Sequence, residues 1–229
     1  MISTKEQLEN KAIQYGLLPF FRNNIKGFSV EEMAAPGKLF GLHSDEEGCW
    51  EWKGPVIRNQ TTAYGKFFNK KAGFVSLEFL PHFLNYRRAK YPVTNSIDRD
   101  IYELIQNNQG LTSTELKRLI FGNLNKKRNR DDLIDILEYK KPKRHSLESS
   151  LQRLQMGGHI LIADFEYKYT KTGQKYGWGV ALYSTPEIWF ERNFKLSDVS
   201  PKESIDFLIS TLSTKLPDVK KEMIEKLIK

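Results

Sequence analysis

From Ser96 onward the chain sets out an order of elements that few folds can accommodate. Ser96-Ile-Asp-Arg-Asp-Ile-Tyr-Glu-Leu-Ile places Ile97, Ile101, Leu104 and Ile105 on one helical stripe, and Gly110 falls just past its end. Thr112-Ser-Thr-Glu-Leu-Lys-Arg-Leu-Ile opens a second helix with a strong cap signature, after a short Gly-containing connection. Ser146 to Met156 reads as a third helix, stopped by Gly157-Gly158. His159-Ile-Leu-Ile-Ala-Asp-Phe is a strand, Glu166 to Lys175 a polar tip, and Tyr176-Gly-Trp-Gly-Val-Ala-Leu-Tyr the returning strand. Helix, helix, helix, strand, tip, strand is the order of a winged helix, here spanning residues 93–187 with an insertion at 123–144. The insertion is basic at both ends and carries an amphipathic helix (Leu133, Ile134, Ile136, Leu137) between them.

Residues 1–92 read as a separate α+β unit. Thr4 followed by Gln7 caps a helix to Tyr15, and Ser29-Val-Glu-Glu-Met opens another. Trp50-Glu-Trp-Lys-Gly-Pro-Val-Ile alternates apolar and polar residues and reads as a strand. Tyr64 to Phe68 and Phe74 to Phe79 flank Asn69-Lys-Lys-Ala-Gly as a β-hairpin, and Pro81 suits the first turn of a helix ending before Pro92. Residues 188–229 supply a short aromatic segment and two helices, about 201–214 and 217–229, that pack back on the body. No internal repeat stands out in the letters.

Charge points to a partner. Between Lys117 and Lys175 lie 14 basic and 7 acidic residues, leaving 22 and 21 in the rest of the chain, so nearly all of the net +8 belongs to one contiguous quarter. Localised positive charge suits a polyanion, although charge alone is also compatible with a solvated face. The single Cys49 allows no internal disulfide, which fits a reducing cytoplasm. One cysteine and four scattered histidines give no metal-ligand spacing, so no metal or other cofactor is expected. No apolar run reaches the roughly 18–20 residues of a membrane span. Oligomeric state is not legible.

In a winged helix the third helix meets the major groove and the strand tip reaches phosphates. Leu147, Leu151 and Leu154 are expected to hold that helix to the core, leaving Ser149, Ser150, Gln152 and Arg153 on its outer face. Lys168, Lys171 and Lys175 mark the tip; Lys126, Lys127, Arg128, Lys143 and Arg144 flank the insertion, as an arm over phosphates or a solubilising loop. In the first unit Trp50, Trp52, Lys53, Arg58 and Lys66 are candidates for base stacking or a basic groove. Glu51, between the two tryptophans, is the one candidate for a catalytic carboxylate; core tryptophans on one strand face, with Glu51 in water, is the plainer alternative.

Gly48-Cys-Trp-Glu-Trp-Lys-Gly-Pro, with Tyr64-Gly-Lys-Phe-Phe-Asn-Lys-Lys-Ala-Gly-Phe-Val-Ser-Leu-Glu-Phe and Leu147-Glu-Ser-Ser-Leu-Gln-Arg-Leu-Gln-Met-Gly-Gly-His-Ile-Leu-Ile, resembles the AlkZ-related family of bacterial proteins. The resemblance covers most of residues 40–190. It implies an α+β, mostly helical fold of tandem winged helices with short β-hairpin wings, and a function on double-stranded DNA. AlkZ-type proteins are DNA glycosylases that remove bulky alkylated or crosslinked bases with a Gln-x-Gln or Gln-x-Asp motif. This chain has no Gln-x-Gln, and Gln60 is followed by Thr61-Thr62. The expectation is therefore a DNA-binding protein, repair-related or regulatory. An active glycosylase and a protein-docking module are the alternatives, and structured RNA is a possible polyanion.

Overall fold

The computed structural model describes residues 1–41, 46–127, 144–173, 175–191 and 194–229. The first run consists of α1 (Lys5–Tyr15), β1 (Leu17–Pro19), α2 (Val30–Met33), α3 (Cys49–Arg58), β2 (Thr62–Phe68) and β3 (Lys71–Ser76), with antiparallel strands in the order β1-β3-β2. After α4 (Leu80–Lys90) the same succession returns as α5 (Ser96–Asn107), β4 (Leu111–Thr112), α6 (Ser113–Lys127), α7 (Arg144–Met156), β5 (Leu161–Tyr169) and β6 (Lys175–Ser184), and its sheet runs β4-β6-β5. Helices α8 (Pro186–Phe190), α9 (Pro201–Lys215) and α10 (Lys221–Ile228) follow. The result is a mixed α/β fold with two small antiparallel sheets and a duplicated order of elements that the letters do not betray.

The cap residues act as their chemistry predicts. The Thr4 hydroxyl accepts from the Gln7 amide, and Asn95 Oδ1 accepts from the Asp98 amide at the head of α5. At α6, Thr112 and Glu115 satisfy each other: Glu115 Oε2 accepts from the Thr112 amide at 2.9 Å while Thr112 Oγ1 accepts from the Glu115 amide at 3.2 Å. Asn69 and Lys70, with φ of 48° and 67°, make the tight turn between β2 and β3.

Several expectations are corrected. Trp50 to Ile57 is not a strand but most of α3. Glu51 starts this helix by accepting from the Gly48 amide at 3.0 Å, and a four-residue alternation is too short to outweigh that cap. Leu111-Thr112 adds a third strand to the second sheet, too brief to carry an alternation of its own. The polar tip is shorter than expected, because β5 and β6 stay paired out to Tyr169 and Lys175. Helix α6 continues to Lys127, so the first residues assigned to the insertion are its last turns; the amphipathic segment at 133–137 lies outside the described residues. The last helix starts at Lys221 rather than at Pro217.

The two runs pack crosswise. The third helix of each lies against the first hairpin strand of the other. In one direction, Arg58 of α3 pairs with Asp164 of β5 at 2.6 Å, and the Lys53 ammonium sits 4.5 Å from the Phe165 ring centre. In the other, the Lys66 amide of β2 donates to Gln155 Oε1 of α7 at 3.0 Å. Tyr64 and Phe165 meet between them, ring centres 6.3 Å apart. One continuous core therefore runs through both units. Helix α9 closes over α4, where Asn85 donates to the Val199 carbonyl and to Ser204, and the rings of His82 and Phe207 lie 4.2 Å apart.

Candidate nucleic-acid interface

Helix α7 owes its orientation to a wide apolar arc. Leu147, Leu151 and Leu154 are buried as expected, but the arc is broader, taking in Ser150 and Gln155, both fully buried. Ser150 is thereby corrected from an outward contact to an interior one: at about 100° per residue it falls some 40° from Leu154. Its hydroxyl accepts from Arg153 Nη2 at 2.9 Å. Gln155 satisfies its amide internally, donating to the Leu151 carbonyl and accepting from Lys66. What remains outward is Glu148, Ser149 and Arg153, with Gln152 and Met156 half-buried.

Arg153 is exposed but not idle. Its guanidinium makes a two-pronged bond to Asp98 of α5, Nε to Oδ2 at 2.8 Å and Nη2 to Oδ1 at 2.7 Å. Burial works against a charge on Asp98, yet hydrogen bonds from Arg153, Ser150 and Asn95 outweigh it and hold the carboxyl below its ordinary range. The same bonds from Asp98 raise the Arg153 pKa further. Arg153 is thus first a clasp between α7 and α5.

The outward arc borders two clefts. One, of about 410 Å³, is lined by Ser149, Gln152 and Arg153 together with Lys70, Asn95 and His159. Burial lowers the His159 pKa, and its Nε2 lies 2.7 Å from the Tyr91 carbonyl, so the ring is neutral near pH 7. The other, about 170 Å³, brings Lys66 and Lys117 beside Glu148 and Gln155. Lys70 and Lys117 were not anticipated. The Asn69-Lys-Lys turn offered the signal for Lys70, but nothing in the letters said that this turn would abut α7, where the Lys70 amide lies 3.2 Å from Met156 Sδ.

On the second hairpin Lys168 and Lys171 are exposed, the former within β5 opposite Tyr176 and the latter in the turn, beside Tyr169, which is 62% exposed. Lys175 begins β6, Lys126 and Lys127 end α6 and Arg144 begins α7. Arg128 and Lys143 lie outside the described residues.

The candidates of the first unit are not gathered into a groove. Lys53 is buried, its ammonium 3.6 Å from the Trp50 ring centre, and cannot reach a ligand. Trp52 is buried in the core, while Trp50 is half-buried against Phe20, Phe21 and Phe40. Helical spacing puts the two tryptophans on different faces, not on one strand face. Glu51 Oε2 accepts from the amides of Gly48 and Gly41, so the carboxylate ties a loop to a helix start instead of pointing to water. Arg58 and Lys66 are both exposed, but the Arg58 guanidinium is already engaged with Asp164. Gln60 donates to the Trp189 carbonyl at 2.6 Å.

Among the described residues no group of three or more His, Cys, Asp or Glu side chains could hold a metal ion, and no helix is long and apolar enough to cross a membrane.

A fold of two small antiparallel sheets with one helix turned outward beside exposed lysines defines a mixed α/β protein with a basic, polar face. The chain belongs to the AlkZ-related family, which matches residues 2–229. Among solved structures, the DNA glycosylase AlkZ of Streptomyces sahachiroi resembles it at 11% identity and a TM-score of 0.46, over 89% of this chain and 50% of that one. The chain thus spans about half the length of that protein. No curated protein matches it.

Proposed function

We propose that this protein binds double-stranded DNA through the outward arc of α7, as a repair-related or regulatory factor. In this reading residues 93–187 form a winged helix with α7 as its reading helix, residues 1–92 form a second, and residues 188–229 pack back on the body. The recurring succession of helices and strands, with both sheets in the same order, supports the tandem arrangement. The AlkZ-related family supports DNA as the partner, since AlkZ itself is a DNA glycosylase.

The observation that carries the reading is the difference between the two third helices. Helix α3 buries Cys49, Trp52, Lys53, Val56 and Ile57 and keeps little surface to offer. Helix α7 keeps Ser149 and Gln152 turned out between the clefts that hold Lys70 and Lys66. Hydroxyl, amide and ammonium groups are what base edges and phosphates need. Lys168 and Lys171 supply reach from the second hairpin.

Titration of a labelled duplex across salt concentrations tests the proposal. Contact with five phosphates gives a log–log slope of about −4 to −5. A flat slope, or no binding at 50 mM salt, overturns it. Charge reversal at Lys168 and Lys171 is expected to weaken duplex binding; intact binding would point instead to a hairpin that docks protein.

A further inference from the structure

Lys70 ends the left-handed turn and Lys71 begins β3, yet these two neighbours line different clefts. Lys70 faces the α7 side. Lys71 lines a cleft of about 350 Å³ on the first unit, with Arg22 from the loop after β1 and Lys226 from α10. Asn69, Phe68 and the Asn23-Asn24 pair complete its wall, and no carboxylate lines it among the described residues. Glu31 lies behind, 3.7 Å from Arg22 Nε, leaving an excess of two positive charges.

Three cations from three separate elements repel one another unless an anion joins them. Their supports are fixed. The Lys71 ammonium donates to the Arg22 carbonyl at 2.8 Å, which uses one of its three donors and leaves two. Asn24 donates to the Met223 carbonyl at 2.8 Å, tying α10 to the loop that carries Arg22. Leu227 is buried beside the exposed Lys226, so the helix cannot turn that lysine away.

We propose that this cleft is a seat for phosphate groups, and that a DNA backbone crossing α7 past Lys70 continues into it. The second clause rests on the DNA-binding reading above; the first does not. The N-terminal unit would then hold DNA by its hairpin turn and by a C-terminal helix, not by its own third helix.

The test compares the full chain with K71Q/K226Q, and with K202Q as a control at an exposed lysine that lines neither cleft. Two probes are used: a labelled duplex across salt, and inorganic pyrophosphate by calorimetry. Loss of two phosphate contacts should reduce the magnitude of the salt slope by about 1.8 and weaken duplex binding roughly tenfold or more at 0.15 M salt, with pyrophosphate binding lost. K202Q should change neither. An unchanged slope and affinity in K71Q/K226Q, with the wild type binding duplex, overturns the backbone path. Pyrophosphate bound equally by both proteins, or by neither, overturns the seat. Pyrophosphate bound by the wild type alone, with no duplex binding, keeps the seat and removes the DNA reading. Should the double variant melt early for want of the Arg22 contact, K226Q alone is read instead, with a slope change of about 0.9.

Discussion

Arg153 on α7 and Asp98 on α5 clasp each other through two parallel bonds of 2.8 and 2.7 Å, fastening the outward-turned helix to the first helix of its own unit. Asp98 is 7% exposed and Arg153 53%, so the acid bears the desolvation while the base stays partly in water.

Replacing Asp98 by Asn should cost about 1–2 kcal/mol, the range for charge-assisted bonds discounted for the exposed partner. The difference from wild type has a definite pH course. Because the folded carboxyl titrates below its ordinary range, its contribution is complete above the unfolded value near about 3.9 and is lost as pH falls through the lower folded value. Denaturant melts should therefore show a constant gap from pH 6 to 8, closing only in strong acid. A gap already shrinking at pH 6 would contradict this origin.

Gln152 stands half-buried on the outward arc and lines the larger cleft. If it reads a base, Gln152→Ala should cost about 1–3 kcal/mol of discrimination at one position. Selection from a random duplex pool with each protein measures this. Identical selected sequences would assign Gln152 to packing.

Gly158 follows α7 with φ of +69°, and a Cβ there would lie 2.3 Å from Leu84 Cδ2. Backbone strain and overlap in the core act together, so Gly158→Ala should lose about 2 kcal/mol or more. In a chain of this size that is roughly 4–8 °C in Tm. A variant melting with the wild type would show that Leu84 yields without cost.

Cys49 is fully buried at the first turn of α3, and burial pushes its thiol up to about 11, with Glu51 adding to the effect. An aromatic disulfide reagent at pH 8 should label it only as fast as the protein opens. Prompt stoichiometric labelling under native conditions would mean that α3 is not seated as described.

Helices were the most legible part of the sequence, because their signals are local. Thr4, Thr112 and Ser29 cap where their side chains predict, and Ile101 and Ile105 face inward. The hairpin around Asn69 was equally plain. Trp50 to Ile57 misled because Trp-Glu-Trp-Lys satisfies a period of two over four residues, while the Gly48–Glu51 cap that starts the helix is quieter. The site was half legible. The leucine arc of α7 fixed which side faces out, but Ser150 sits at its margin, and only packing against α5 decides its burial. The outward place of Arg153 is legible, but its Asp98 partner is not, because it lies 55 residues away. The pairing of Lys70 with α7 depends on the crosswise packing, which no local pattern encodes.

That exchange, each hairpin resting on the other unit's helix, makes the segment around Pro92 a poor place to cut. Residues 1–92 made alone would leave Tyr64 and Gly54 without the Phe165 side, and residues 93–229 would leave Gln155 without Lys66. Each fragment should be sticky and ill-folded by itself, yet the two mixed should recover a single melting transition, as interlocked halves of one lock do.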